Sequence, residues 1–431
     1  MKQGYIFSKG LQLAETRITS TTDAPIKNFR SSRCSSANIQ VCFSLPMEPT
    51  CLLASRIEKV KAGQRTDINS SDWGKSRYSG SDICERLSSL DSSQSGYTPV
   101  EVVDANALTT DMFSDRFLSQ RKPVIIRGAL AHWPAVSEGK WELSTLLKRF
   151  KHIVFKVGED DSGRKLKIKM KTFMDYMKHQ TDDSPLYLFE SGMVGASSSL
   201  RDDYWIPEYF PDDYLNLVGK DNKPPHKWFC MGPKRSGTTV HRDPMGTAAW
   251  NAVTMGVKRW VLFEPQEDKT LVKARKYKQK GEDDEAIHYF DFLLPRMRQA
   301  NPNLRIYECI QQPGDLIFVP GQWWHGVLNL TDTVAVTHNY CGRDNFDDVI
   351  KRMSRQRRMF FRRWLYNMKK FSPTLYKRAK QLQKSPELGV YVECVSSASS
   401  SDSSDSSDYS SSEDISDIDW VGFPARMDVD A

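Results

Sequence analysis

Cysteine is sparse in this chain, and its spacing argues against the usual cysteine-built sites. The eight cysteines are spread over 431 residues, and no two of them form a Cys-x-x-Cys pair. This disfavours a structural zinc site and favours free thiols in a reducing, intracellular compartment. The start of the sequence lacks the apolar core of a signal peptide, and the first 95 residues contain no apolar run that could cross a bilayer. We therefore expect no association with a membrane.

Both ends of the chain also lack the apolar periodicity of packed helices and strands. Residues 1–95 are rich in serine, threonine and small polar residues, and residues 391–431 are an acidic tail rich in serine and aspartate. Such segments bury too little apolar surface to offset the entropy of ordering them, so we predict that both are disordered. The tail holds ten acidic residues and one basic residue, although the whole chain has a net charge of +7. A basic body with an acidic tail is typical of proteins that contact basic proteins or nucleic acid, and it equally serves solubility.

Between these ends, apolar runs of strand length predict a mainly β fold. Residues 96–189 mix strand and helix patterns and form an α/β lead-in, and residues 190–344 form the core. Tight turns separate several of the core strands: Met255-Gly256, Pro320-Gly321 and Thr331-Asp332. Short strands joined in this way indicate a double-sheet jelly roll or barrel. The charged run 266–303 interrupts the pattern, and we interpret it as an insertion with some helix.

Residues 345–390 have the pattern of a basic amphipathic helical segment. From 345 to 370, apolar residues fall on one stripe while seven lysines and arginines crowd the other face. We expect the stripe to pack against the core or against a second copy of the chain, which would give a homodimer through these C-terminal helices. The basic face is typical of a solvated helix, and it is alternatively a contact for RNA or another acidic partner.

Two histidines and one aspartate are the strongest candidates for chemistry. His241 and Asp243 lie two residues apart in a segment predicted to be extended, so both side chains face the same side. His325 follows the Pro-Gly turn and begins a strand that a jelly roll can place beside the first. Two imidazoles and one carboxylate leave three positions of a metal open, which suits non-haem iron(II). A lone His-x-Asp pair occurs by chance in many chains, so its surroundings decide its weight.

Those surroundings include a lysine that is predicted to be buried near the metal pair. Asn251 and Lys258 follow that pair on what the pattern predicts to be one hairpin. A buried lysine beside a metal needs an anion, and the distal carboxylate of 2-oxoglutarate would supply one. Thr238 and Thr337 are candidates to donate hydrogen bonds to the same carboxylate, although each alone is equally an ordinary strand residue.

The sequence around these residues resembles the Jumonji-C family of oxygenases. The resemblance rests on His-Arg-Asp-Pro-Met-Gly-Thr-Ala-Ala-Trp-Asn-Ala, on Gly-Val-Lys-Arg-Trp and on Pro-Gly-Asp-Leu-Ile-Phe-Val-Pro-Gly-Gln-Trp-Trp-His. It extends from about residue 122 to residue 340, and it implies a double-stranded β-helix, the cupin-like jelly roll. It implies an iron(II) site made by His241, Asp243 and His325. It implies a 2-oxoglutarate site contacted by Thr238, Asn251, Lys258 and Thr337, with Tyr187 lining it.

The same resemblance implies a reaction, partners and a location. Within the family, the sequence is most similar to members that hydroxylate lysine at C5 and demethylate arginine. We therefore expect lysyl hydroxylation of Arg/Ser-rich splicing proteins, and as a second choice demethylation of histone arginines, in the nucleus. Lysine- and arginine-rich proteins are the expected partners. Two alternatives stay open: a non-catalytic chromatin or RNA adaptor that uses the basic helix and the acidic tail, and a cupin that acts on small molecules.

The sequence departs from the family pattern in two places. Arg242 stands between the first two ligands, where the family usually has an apolar residue. On a strand it would point away from the metal, so we expect altered packing and retained chemistry. Residues 1–95 resemble nothing in the family.

Overall fold

Two β-sheets and a separate hairpin carry the strands of this protein. The computed structural model describes residues 49–191, 193–219 and 222–383. The strands of this part are β1 (Tyr97–Pro99), β2 (Glu101–Asp104), β3 (Val124–Arg127), β4 (Val154–Glu159), β5 (Lys165–Lys169), β6 (Leu188–Ser191), β7 (Lys227–Gly232), β8 (Gly237–His241), β9 (Ala248–Met255), β10 (Lys258–Phe263), β11 (Ile306–Gln311), β12 (Leu316–Val319), β13 (Trp324–Asn329) and β14 (Thr333–Tyr340).

The described part of the chain also contains twelve α-helices. They are α1 (Pro49–Gln64), α2 (Ile83–Arg86), α3 (Thr110–Phe113), α4 (Pro134–Ser137), α5 (Leu143–Phe150), α6 (Met170–His179), α7 (Lys269–Val272), α8 (Ala286–His288), α9 (Leu294–Ala300), α10 (Phe346–Gln356), α11 (Arg358–Phe371) and α12 (Pro373–Gln383). In the described part of the chain, no helix is both long enough and apolar enough to span a bilayer.

The two sheets are wound together by a chain that repeatedly changes sheet. The five-stranded sheet has the order β1-β11-β10-β13-β8, and the seven-stranded sheet has the order β2-β3-β12-β9-β14-β7-β6. From β7 to β10 every connection passes from one sheet to the other, and so does every connection from β11 to β14. An apolar layer that includes Ile317, Leu262 and Val327 lies between the sheets. This is the double-stranded β-helix that the sequence predicts, and the mainly β fold class is confirmed.

The prediction that Asn251 and Lys258 share a hairpin is wrong. Asn251 lies on β9 in the seven-stranded sheet, and Lys258 begins β10 in the five-stranded sheet. The short link between them crosses the sandwich at Gly256, where φ is +83° and a Cβ atom would lie 2.0 Å from the carbonyl oxygen of Asp332. Only glycine tolerates that approach and that backbone conformation. The two side chains therefore reach the site from opposite sheets.

The prediction of disorder for residues 1–95 is wrong for the part that the structure describes. Helix α1 buries Ile57 and Val60 in the main core, and Trp73 packs beside them. Ile83 and Leu87 enter a second core together with the insertion between β10 and β11. The apolar pattern of this stretch is sparse because much of its contact with the domain is polar. Residues 1–48 and the acidic tail 391–431 lie outside the described residues.

The lead-in and the insertion follow the sequence prediction more closely. The alternating segment near residue 160 forms the hairpin of β4 and β5, and α6 follows it directly. The charged run 266–303 contains α7, α8 and α9, so its interpretation as an insertion with some helix is confirmed.

The C-terminal segment is not one continuous helix to residue 370. Arg357, with φ −134° and ψ 66°, separates α10 from α11, because its backbone is not helical. The apolar stripe predicted for this segment packs within the chain, since Ile350, Met353 and Trp364 are buried with Met245 in a core of their own. The homodimer and the RNA contact stay predictions.

Candidate active site

The strand register brings the three candidate metal ligands together. His241 ends β8 and is paired directly with His325 on β13, and their ring centroids lie 4.3 Å apart. Asp243 follows in extended backbone, φ −61° and ψ 146°, just before a short 3-10 turn. One ligand atom from each of the three residues lies within 4.8 Å of the others. The register shifts by a bulge directly after His325, an irregularity that is common beside functional sites.

Hydrogen bonds orient both imidazoles for metal binding. Nδ1 of His241 lies 2.8 Å from the carbonyl oxygen of Thr239, and Nδ1 of His325 lies 3.1 Å from that of Trp323. A carbonyl only accepts, so in the neutral ring Nδ1 donates its proton and Nε2 keeps its lone pair for a metal. Burial, together with the neighbouring His325, lowers the pKa of His241 to about 4. His241 is therefore neutral at physiological pH.

Lys258 lies in the same cavity, fully buried and held by neutral groups alone. Its Nζ donates to Asn329 Oδ1 at 2.7 Å and to the hydroxyl of Tyr187 at 3.0 Å, with Thr333 Oγ1 at 3.5 Å. Its side chain is 1% exposed, and no carboxylate of the described residues pairs with it. Burial lowers the pKa of Lys258 to about 8, so the ammonium form still predominates at neutral pH. A buried ammonium in these surroundings lacks a counter-charge, which an anionic ligand would supply.

The seven-stranded sheet supplies the opposite wall of the cavity. Asn251 and Thr337 are paired across β9 and β14, and the Thr337 hydroxyl donates to the carbonyl oxygen of Trp250 at 3.1 Å. The side-chain oxygen of Asn251 is buried without a hydrogen-bond partner. All eight residues predicted from the sequence line this one cavity: Tyr187, Thr238, His241, Asp243, Asn251, Lys258, His325 and Thr337.

These residues fit an iron ion and a chelating dicarboxylate. Two imidazole nitrogens and one carboxylate are the donor set that non-haem iron(II) takes in enzymes with open coordination positions. Among the described residues, Lys258 has no carboxylate as a counter-charge, and the side-chain oxygen of Asn251 has no hydrogen-bond donor. An anionic ligand that also brings a hydrogen-bond donor or an ordered water would satisfy both.

Comparison with known proteins agrees with this geometry. The model of a family described as a cupin-like domain matches residues 109–348, more than half of the chain. The bifunctional arginine demethylase and lysyl-hydroxylase psr-1 of Caenorhabditis elegans is 40% identical over 291 residues, which cover 67% of this chain and 72% of that protein. The chain belongs to the cupin-like Jumonji-C family.

Other members of the family are more distant. The arginine-specific demethylase JMJ22 of Arabidopsis thaliana is 30% identical over 251 residues, covering 58% of this chain and 48% of that protein. The 2-oxoglutarate and iron-dependent oxygenase JMJD4 of Gallus gallus is 28% identical over 222 residues, covering 47% and 49%.

Arg242, which stands between two candidate metal ligands of this Jumonji-C protein, turns away from the cavity. Its guanidinium carbon lies 4.0 Å above the ring of Trp324, and it donates to the carbonyl oxygen of Pro265. The side chain thus packs on the outer face of the five-stranded sheet while its two neighbours face inward. This is the orientation that the strand periodicity predicts.

Several residues that line this Jumonji-C cavity or contact its residues were not predicted from the sequence. Asn329 and Thr333, which contact Lys258, are polar residues at the ends of apolar strands, and a buried asparagine in such a run was the available signal. Arg357 lines the cavity from the break between α10 and α11, although its sequence context suggested only a basic helix face. Lys156 and Glu159 of β4 also line the cavity and pair with each other.

Proposed function

We propose that this protein is an iron(II)- and 2-oxoglutarate-dependent dioxygenase that oxidises basic side chains of other proteins. Hydroxylation of lysine at C5 is the first reaction, and demethylation of N-methylarginine is the second. The observation that carries the proposal is the pairing of the His241, Asp243 and His325 cluster with a buried Lys258 that has no carboxylate partner among the described residues.

Each group of residues has a separate task in this proposal. His241, Asp243 and His325 would hold the iron, and Lys258 with Tyr187 and Thr337 would hold the distal carboxylate of 2-oxoglutarate. When bound, iron and 2-oxoglutarate would activate dioxygen as the oxidant, with one oxygen atom going to the substrate side chain and the other to succinate as carbon dioxide is released. The chain itself contributes position and the exclusion of water, because the cluster and Lys258 lie between two apolar sheets.

The substrate class is supported by the relatives and by the cavity wall. One relative is named for arginine demethylation and lysyl hydroxylation, and another for arginine demethylation. The cavity is lined by the aromatic side chains Tyr187, Phe189 and Trp228. Aromatic faces are groups that favour a cationic aliphatic side chain.

Mass spectrometry of a peptide library tests the proposal. Lysine-rich and methylarginine-containing peptides are incubated with the full chain, iron(II) and 2-oxoglutarate. Oxygen insertion at lysine adds about 16 Da, and loss of a methyl group from arginine removes about 14 Da, so the two reactions separate directly. Succinate is measured in parallel.

The control variants use histidines in different surroundings. His241→Ala removes a candidate ligand and is expected to abolish both the mass shifts and the succinate, whereas His132→Ala changes an exposed histidine and is expected to leave both intact. Equal activity in the wild type and in His241→Ala would refute the oxygenase assignment. Succinate without any modified basic peptide would instead favour a small-molecule substrate.

We propose further that the protein acts in the nucleus on Arg/Ser-rich splicing proteins or histones. A net charge of +7 that includes a strongly acidic tail supports partners with charged, repetitive sequences. Microscopy of the tagged full chain, combined with recovery of hydroxylated or demethylated nuclear proteins, checks this proposal. Exclusion of the tagged chain from nuclei would contradict it.

A further inference from the structure

The groups that hold Lys258 are themselves tied to one buried carboxylate outside the cavity. Asp182 is 5% exposed and lies between α6 and the strand that follows Tyr187. Its side chain and its backbone carbonyl each receive hydrogen bonds from different parts of the chain. Those bonds lead by two routes to the partners of Lys258.

The first route leads to Tyr187. Asp182 Oδ2 accepts the hydroxyl of Tyr176 at 2.6 Å, and that hydroxyl accepts the backbone N–H of Leu186 at 2.9 Å. Burial and the negative charge of Asp182 raise the pKa of Tyr176 well above its ordinary value, so the hydroxyl keeps the proton that it donates. Leu186 immediately precedes Tyr187, whose hydroxyl receives Lys258. The position of Tyr187 thus depends on a backbone that Asp182 fixes through one hydroxyl.

The second route leads to Asn329. The guanidinium of Arg235 donates a hydrogen bond from Nε to the carbonyl oxygen of Asp182 at 3.0 Å and another from Nη2 to Gln180 Oε1. The backbone N–H of Arg235 donates to the carbonyl oxygen of Asn329 at 2.8 Å. Arg235 is 1% exposed and has φ +77°, a conformation that a non-glycine residue keeps only when its contacts hold it there. The side-chain oxygen of Asn329 in turn accepts a hydrogen bond from the Lys258 ammonium.

Helix α1 completes this arrangement from outside the region that the family model matches. The ammonium of Lys61 donates to Asp182 Oδ1 at 2.9 Å, and both side chains are buried. Lys61 also lies 5.0 Å from the ring centroid of Trp73, whose carbonyl oxygen accepts the backbone N–H of residue 183. The carboxylate of Asp182 is therefore balanced by a cation of α1.

We infer that Asp182 is a positioning residue for the cosubstrate, and that α1 takes part in cosubstrate binding by holding Asp182 through Lys61. Asp182 touches neither the metal cluster nor the cavity. Its carboxylate holds Tyr176 and thereby the backbone beside Tyr187, and its backbone carbonyl holds Arg235, whose N–H donates to the backbone of Asn329. Tyr187 and Asn329 in turn accept hydrogen bonds from the Lys258 ammonium. This inference rests on the proposed function, because it assigns the distal carboxylate of 2-oxoglutarate to Lys258.

The test compares two ligands that differ at the distal end. Full-length protein is loaded with Mn(II), and isothermal titration calorimetry measures the binding of 2-oxoglutarate and of oxalate. Oxalate chelates a metal and has no distal carboxylate to reach Lys258. Asp182→Asn is expected to weaken 2-oxoglutarate by about tenfold, the lower end of what such outer hydrogen-bond partners contribute, and to leave oxalate unchanged.

Asp203→Asn is the matched control. Asp203 is equally buried and also joins a cation to an aromatic donor, since it accepts Arg149 Nη1 at 2.7 Å and Trp141 Nε1 at 2.8 Å. It has no contact with Tyr187, Asn329 or Lys258. The control is expected to lower stability much as Asp182→Asn does while leaving the affinity for both ligands unchanged.

The results decide whether Asp182 positions the cosubstrate site or only supports the fold. Equal weakening of both ligands in Asp182→Asn, no weakening at all, or the same loss in Asp203→Asn would show that Asp182 only supports the fold. A wild type that binds oxalate and not 2-oxoglutarate would refute the proposed function itself. If Asp182→Asn does not fold, Tyr176→Phe removes one hydroxyl from the first route and is judged by the same selective loss of 2-oxoglutarate.

Discussion

Strand β10 carries two neighbouring cations on opposite faces, and only one of them contacts a carboxylate of the described residues. Lys258 faces the cavity and has only neutral oxygens around it, whereas Arg259 faces the other way and donates to Glu308 at 2.6 Å and to the carbonyl oxygen of Leu87. Arg298 donates to the other oxygen of Glu308, so both guanidinium groups contact a carboxylate, and the three side chains together carry one net positive charge. Both cations are buried. The comparison teaches that burial alone does not mark a functional charge; what marks Lys258 is the lack of any carboxylate partner among the described residues.

The largest effect is expected from removing the carboxylate that Arg259 and Arg298 share. Glu308→Gln leaves the guanidinium groups of Arg259 and Arg298 buried and facing a neutral amide. We expect a loss of about 3–5 kcal/mol in the free energy of unfolding, the usual result of removing one partner from a buried ion pair. Urea unfolding followed by tryptophan fluorescence measures it. A loss below about 1 kcal/mol would mean that the cluster is solvated and that the contrast with Lys258 is not real.

Lys258→Met sharpens the comparison from the other face. Because Lys258 has no internal counter-charge, its removal is expected to change the free energy of unfolding by no more than about 1 kcal/mol. The affinity for 2-oxoglutarate should fall by about a hundredfold, since a charge-assisted hydrogen bond is lost. Arg259→Met on the adjacent position is the control, with the reverse outcome: destabilised folding and unchanged affinity in the folded fraction. The same response from both variants would break the distinction.

The pH dependence of binding is a smaller effect and follows from Lys258 alone. Its pKa of about 8 keeps the ammonium protonated below that pH, so the affinity for 2-oxoglutarate should be flat there and fall severalfold by pH 9. Stability should move the other way: between pH 8 and 10.5 the unfolded lysine keeps a proton that the folded one has lost, so stability rises with pH across that window. Calorimetry and urea unfolding at pH 7, 8 and 9 check both slopes. Persistence of either slope in Lys258→Met would assign it to another group.

The smallest effect is expected at Arg242. Its guanidinium stacks on Trp324 outside the cavity, so Arg242→Leu should cost about 1 kcal/mol of stability and leave succinate production within about twofold of wild type. Thermal unfolding and a turnover assay measure the two quantities. A tenfold fall in turnover would show that the residue between the ligands acts on the cavity after all.

The ligand cluster was predictable because its determinants are local. Alternation along a strand places His241 and Asp243 on one side, and a jelly roll brings the segment after a Pro-Gly turn beside them. The same reasoning correctly placed Lys258 and Asn251 in one site but wrongly put their strands in one hairpin. A two-residue turn with Gly256 suits a hairpin as well as a crossing between sheets. Sequence alone does not distinguish these two uses of a turn.

The support around the cluster was not predictable because it depends on distant contacts. Asp182 and Lys61 are 121 residues apart, and Lys258 and Asn329 are 71 apart, with no periodic pattern to join them. Helix α1 has a narrow apolar edge and a polar contact as its main link to the site, so its composition resembled that of a disordered segment. The break at Arg357 likewise has no glycine or proline to announce it.

Residues outside the region that the family model matches contribute to the site, which matters for anyone who prepares this enzyme in a shortened form. Family boundaries at residues 109 and 348 would be the natural places to cut. A fragment trimmed there would leave Asp182 without the cation of α1 and would remove Arg357 from the cavity wall. We expect the smallest active fragment to be longer than residues 109–348, so an inactive fragment with those bounds would say nothing against the activity of the whole chain.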